Sequence, residues 1–255
     1  MKILRITVLL MHSVGFYAQS DLVFDHPMLA TNCLIMGQST HAVMMSDCKQ
    51  LALGWTSTNY YTQTDCNGLQ AVVLLPRKSA VWRVEGGFLT NSVLRRYLSG
   101  ISWSQRISKA FYLGASMQLR RSRFPDLISY QSYWEVCSRF HWDRHQLIGW
   151  IRAFGPETYS RQMAEGGFFW RYRLGGALTI QAGLCMKSDL TNRGFAGLVQ
   201  ETPKEGQWCL WFEPRPIAVG VGWARQWGHW NWGLSVIWSE MPLPSFQQSM
   251  MYEKR

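Results

Sequence analysis

The chain alternates between apolar and polar positions with a period of two. Over residues 110–121, Phe111, Leu113, Ala115, Met117 and Leu119 fall on one side of an extended backbone. Tyr112, Gly114, Ser116, Gln118 and Arg120 fall on the other. Over 176–187, Leu178, Ile180, Ala182, Leu184 and Met186 oppose Thr179, Gln181, Gly183, Cys185 and Lys187. Over 132–142, Trp134, Val136, Phe140 and Trp142 oppose Glu135, Arg139 and His141. Successive side chains of a β-strand point to opposite faces, so this pattern predicts strands with one apolar and one polar side. The same rhythm predicts strands at 51–61, 67–75, 80–89, 97–107, 145–154, 166–174, 193–200, 206–213, 216–226 and 229–239, with 245–252 as a weaker last member. The total is about fourteen. No long stretch repeats every 3.6 residues, which argues against an α/β fold.

The connections form two sets. One set is tight: 76–79, 108–109, 143–144, 175 and 227–228, with 201–205 the loosest. The alternating set is longer: 90–96, 122–130, 155–165 and 188–192. Pro214-Arg215 belongs to the long set and is short, which points to a misplaced strand nearby. Alternation of short and long connections is the signature of an up-and-down barrel of the bacterial outer membrane, with short periplasmic turns and longer external loops. Parity then requires 245–252 to return as the last strand. Asn231, Gly233, Val236 and Trp238 fit a loose polar-x-Gly-x-x-apolar-x-apolar pattern that resembles a barrel assembly signal. If that pattern ends the barrel, the count is twelve and 241–255 is a periplasmic tail.

A soluble barrel or sandwich buries its apolar faces, whereas a membrane barrel turns them to lipid. Composition separates the two. Charged residues are 16% of the chain, against roughly 25% in soluble domains, and there are 14 Trp. The polar faces carry Gly, Ser and Arg in place of surface Lys and Glu. Trp and Tyr gather towards predicted strand ends: Trp55, Tyr60, Tyr61, Trp103, Trp134, Trp142, Trp223, Trp227, Trp230 and Trp238. Of these, Trp103, Trp134, Trp142, Trp223, Trp230 and Trp238 are the expected membrane girdle. No mature segment has the 18 or so consecutive apolar residues of a membrane helix. A secreted β-sandwich binding protein is the alternative should the barrel be wrong.

Residues 1–18 have a basic start at Lys2 and Arg5, an apolar core from Ile6 to Tyr17 and a small Ala18. This pattern predicts a secretory signal peptide. Three segments follow: 1–18 as signal peptide, 19–50 as a periplasmic or plug segment, and 51–255 as the barrel. The six cysteines, Cys33, Cys48, Cys66, Cys137, Cys185 and Cys209, include no C-x-x-C. Cys48 and Cys66 fall at opposite ends of the first strand, and Cys137, Cys185 and Cys209 point inward on non-neighbouring strands. Mostly free thiols are expected.

Residues 36–43, Met-Gly-Gln-Ser-Thr-His-Ala-Val, followed by Asp47, resemble the "MGxAxxA…D" segment of fatty-acid-transporter-like barrels. The related type IX secretion outer-membrane barrels of Bacteroidota share that segment. Residues 107–114 and 227–233 are similar to the recurrent periplasmic hairpins of those families. The Asn-Pro-Ala that usually follows the first motif is absent; Cys48-Lys49-Gln50 leads into the strand instead. The resemblance implies an outer-membrane barrel with a small plug at about residues 21–50.

The predicted lumen holds Arg83, Glu85, Arg106, Arg120, Glu135, Arg139, Arg171, Arg173 and Lys187, a mainly cationic lining with two acids. Such a lining either selects anions or forms ion pairs that fill a closed barrel. Filling is the favoured reading. Catalysis is not expected. His141 and Glu135, six residues apart on one strand, are roughly 20 Å apart. No metal or cofactor site is expected, because there is no C-x-x-C, and no nucleic-acid site, because the basic residues form no stripe. The net charge of +10 fits attraction to lipid headgroups and lipopolysaccharide. The leading functional expectation is a structural or accessory subunit of a larger outer-membrane export or assembly complex, with other outer-membrane or periplasmic proteins as partners. The alternative is a small-solute or hydrophobic-compound channel of fatty-acid-transporter type.

Overall fold

The computed structural model describes residues 41–60, 67–90, 94–155, 164–187, 192–202, 206–214, 217–239 and 245–254. The expected signal peptide, the start of the expected plug segment, Cys33, Tyr61 and Cys66 lie outside them. A short 3-10 helix, Ala42–Asp47, comes first. The strands follow as β1 (Ala52–Tyr60), β2 (Asn67–Arg77), β3 (Ala80–Thr90), β4 (Arg95–Arg106), β5 (Phe111–Arg123), β6 (Ile128–Trp142) and β7 (His145–Phe154). Then come β8 (Ala164–Arg173), β9 (Leu178–Lys187), β10 (Asn192–Thr202), β11 (Gly206–Pro214), β12 (Ile217–Trp227), β13 (Trp230–Ser239) and β14 (Ser245–Glu253). Each pairs antiparallel with its sequence neighbours, and β1 pairs with β14 to close the barrel.

Closure settles the strand count. β14 pairs along its length with both β13 and β1, so residues 245–253 are a full wall strand and no periplasmic tail. The twelve-strand alternative is thereby overturned. A strand as polar as Ser245–Glu253 serves because ladder bonds come from backbone, and a barrel cannot leave an edge unpaired in lipid. The strand next to Pro214-Arg215 is also in place. β11 and β12 are joined by residues 215–216 alone, a short link on the long-connection side.

The shortest strands have nine residues and the longest fifteen, enough for a tilted strand to cross the hydrocarbon layer. Among the described residues no helix is long and apolar enough to cross. Tight turns gather at one end, where the first residue of each two-residue turn is left-handed: Lys78 (φ 48°), Asp143 (φ 47°) and Gly228 (φ 58°). β1 begins and β14 ends there too, with Lys254 N–H donating to Leu51 O. In outer-membrane barrels this end faces the periplasm.

The two faces of the wall have opposite chemistry. Val84, Ile101, Val136, Ile151, Phe168, Leu198, Leu210, Phe212 and Ile217 lie exposed on the outside, Ile151 to 70%. Their inward neighbours on the same strands are buried, and many are polar: Arg83, Glu85, Ser102, Glu135, Arg152 and Glu213. A wall that is apolar outside and polar inside is stable only with lipid around it. The fold is therefore a transmembrane β-barrel of the bacterial outer membrane.

Candidate functional site

The site is the barrel interior, and strand register builds it. Facing residues form a row across seven strands: Leu74, Arg83, Ser102, Ser116, Glu135, Arg152 and Glu165. Arg152 lies between two acids, with Nη2 donating to Glu135 Oε2 at 2.9 Å and Nη1 to Glu165 Oε1 at 2.8 Å. Its guanidinium carbon sits 4.6 Å from the Tyr133 ring centroid. Neighbouring charges on both sides stabilise the buried guanidinium.

A second cluster centres on Glu85. Arg83 and Gln70 donate to its Oε2, and Gln118 donates to its Oε1 at 2.5 Å. Gly100, opposite Glu85 in the ladder, leaves room for the carboxylate: a Cβ there would lie 2.7 Å from Glu85 Oε1. Nearer the tight-turn end, Arg139 stacks on Tyr112, with 4.1 Å from guanidinium carbon to ring centroid.

The 3-10 helix lies inside the barrel against β3, β4, β5 and β6. Ala42, Val43 and Met45 are buried in one apolar cluster with the inward-facing Val81, Cys137 and Trp150. His41, just before the helix, stacks on Trp150 with centroids 5.0 Å apart, and its Nδ1 lies 3.1 Å from Glu135 Oε2. Gly114 makes the close approach possible. A Cβ there would be 2.9 Å from Ala42 Cβ, 3.0 Å from Val43 N and 3.1 Å from Trp103 O. On the opposite wall Trp211 lies over Gly220, so close that a Cβ on Gly220 would overlap the indole. Large residues set against small ones fill a barrel interior.

Where this segment leaves the lumen, the Cys48 thiol donates to Gln50 O at 3.0 Å. Burial pushes that thiol up; the Gln50 backbone opposes the shift in part and Glu253 adds to it. Cys48 and Cys137 are buried free thiols. Among the described residues no group of three or more His, Cys, Asp or Glu is placed to hold a metal.

The structure places the residues singled out from sequence as follows. Arg83, Glu85, Arg120, Glu135 and Arg139 are buried inside, and Arg171 is half-buried, donating to Gln181 and Gln146 at 3.3 Å. Arg106 and Arg173 sit instead at the exposed tight-turn rim, because their strands end there. They donate to Ser108 O and Gly176 O. Lys187 faces Glu165 across the ladder. Trp142, Trp230 and Trp238 are exposed near strand ends, and Trp103 and Trp223 are half-buried on the outer face. Trp134 is exposed but mid-strand, because β6 begins at Ile128 and not at 132. Of the assembly-signal pattern, Asn231 and Gly233 face inward and Val236 and Trp238 outward, on the penultimate strand. Asn231 donates to Glu253 Oε1 at 3.0 Å on the last one.

The lining of two acids needs correction. Glu165 and Glu213 also face inward, with Arg96, Arg152 and Arg193. Sequence periodicity missed Arg152 because both faces of β7 are apolar, Ile148 and Trp150 on one and Leu147 and Ile151 on the other. It missed Glu165 because that residue was placed in a loop. It missed His41 because no strand pattern reaches it.

The fold and its lining define an outer-membrane β-barrel protein. No family model matches the sequence, and a search of curated proteins finds no match. Solved structures do resemble it. The CymD monoaromatic hydrocarbon channel superposes with a TM-score of 0.63 at 8% identity, covering 88% of this chain and 94% of that one. The Pseudomonas putida toluene transporter TodX gives 0.60 at 9% identity, covering 84% and 92%. The Acinetobacter baumannii outer membrane protein Omp33 gives 0.57 at 7% identity, covering 80% and 98%. The shared property is the fold, a closed outer-membrane β-barrel.

Proposed function

We propose that this barrel is a structural or accessory subunit of a larger outer-membrane complex for protein export or assembly. The observation that carries the reading is the occupied interior. His41–Cys48 lies against four strands inside the wall, tied to Glu135 and, through Arg152, to Glu165. Trp150, Phe195 and Trp211 belong to the same buried cluster. A barrel packed in this way serves as a rigid body in a membrane assembly. The motif at residues 36–47 adds the type IX secretion barrels of Bacteroidota as the proposed setting, with the segment before β1 as its plug. The test is purification from native outer membranes in mild detergent. Stoichiometric protein partners are expected; a barrel that comes out alone would overturn the proposal.

A second reading has its own support. The likeness to CymD and TodX, named as hydrocarbon channel and toluene transporter, favours a channel for small apolar compounds. Uptake of such a compound by liposomes bearing the lone barrel is what that reading predicts.

A further inference from the structure

The long-connection rim of β4, β5 and β6 carries a charge arrangement that the interior does not explain. Arg95 and Arg123 are direct partners across the β4–β5 ladder, and one step inward Tyr97 faces Arg121, which faces Tyr130 on β6. All five side chains are exposed and share the outer face of the wall. Like charges directly opposite on antiparallel strands destabilise the pair unless an anion lies between them. Among the described residues none of these three arginines has an acid within ion-pair distance. The connection at 91–94, Asn-Ser-Val-Leu, contains no acid, and that at 124–127 contains one, the exposed Asp126. Arg121 and Arg123 are two apart on one face, roughly 7 Å from each other. Arg121 also lies over the Tyr130 ring, 5.9 Å from carbon to centroid.

We infer that Arg95, Arg121 and Arg123 form a phosphate-binding site for lipopolysaccharide of the outer leaflet. The long-connection end is the external end of such barrels. There the outer face meets headgroups, Tyr97 and Tyr130 lie at interfacial depth, and the phosphates of the lipid anchor are the anions within reach. Guanidinium groups bind phosphate in paired hydrogen bonds, so three of them on two adjacent ladder rows make a compact receptor. The assignment does not depend on the proposed export role.

The test compares wild type with R121Q, R123Q and R95Q/R121Q/R123Q, each purified folded from outer membranes, by the lipopolysaccharide retained per barrel. Each arginine removed is expected to weaken retention by about fivefold, the equivalent of about 1 kcal/mol per basic residue at a membrane surface. R95K/R121K/R123K, which keeps the charge, is expected to retain most of it. It also serves should the glutamine variants fail to fold. Thermal stabilisation by added lipopolysaccharide should vanish when the lipid is dephosphorylated. Equal retention by wild type and the triple glutamine variant would overturn the site. So would equal stabilisation by phosphatidylglycerol vesicles, which would mark an unselective anionic-lipid surface.

Discussion

Glu135 on β6 and Arg152 on β7 stand directly opposite each other, joined at 2.9 Å, with 1% and 2% of their surfaces exposed. Arg152 also holds Glu165, and Glu135 also meets His41. One ion pair thus links three strands to the segment inside them.

Breaking that pair leaves a buried charge without its partner. Glu135→Leu or Arg152→Met alone should each cost about 3–5 kcal/mol of barrel stability. The double variant should cost less than the sum of the two single losses, because both remove the same interaction. Urea unfolding in detergent micelles reads all three; equal and additive losses would show that the two side chains do not act together.

Gly114→Val places a branched side chain where Ala42 and Val43 lie. The barrel should still close, since the wall ladder of β4, β5 and β6 does not need the segment. The inner segment should shift. Cys48 reports this in a variant that keeps it as the sole cysteine: maleimide labelling at neutral pH should rise at least about tenfold as burial is relieved. Unchanged labelling would mean that the helix does not rest on Gly114.

Cys48 also sets a pH dependence. Its folded pKa is raised by burial above that of a free thiol, about 8.5. The raised value means that the neutral thiol is favoured in the fold. The stabilisation is therefore complete below about pH 8.5 and is lost as pH rises through the folded value. Cys48→Ala should abolish that alkaline loss, as measured by unfolding midpoints between pH 7 and 11.

Trp211 and Gly220 give a packing test on the other wall. Gly220→Ala should destabilise by about 1–3 kcal/mol because the indole must move. In a Trp211→Leu background the same change should cost much less. A cost independent of residue 211 would locate the constraint in the backbone.

The fold was largely legible because a barrel writes its period into most of its strands. Phe111–Arg123 and Leu178–Lys187 each show one lipid-facing side and one polar side. Even the polar Ser245–Glu253 could be assigned, by the parity that closure demands. The interior was less legible. Which arginine meets which acid depends on register: Glu135 meets Arg152, seventeen residues on, because a two-residue turn at 143–144 sets their strands opposite. His41 reaches Glu135 from a segment with no periodicity at all. The arginines at 95, 121 and 123 look dispersed along the chain until the ladder places them together.

The proposed rigid body requires a lumen closed by His41–Cys48 and the charges that hold it. Single-channel recording in planar bilayers tests it most directly, on wild type and on a variant lacking residues 42–47. Wild type should be electrically silent and the variant should conduct. Wild-type openings as frequent and as large as those of the variant would show that the segment does not close the lumen.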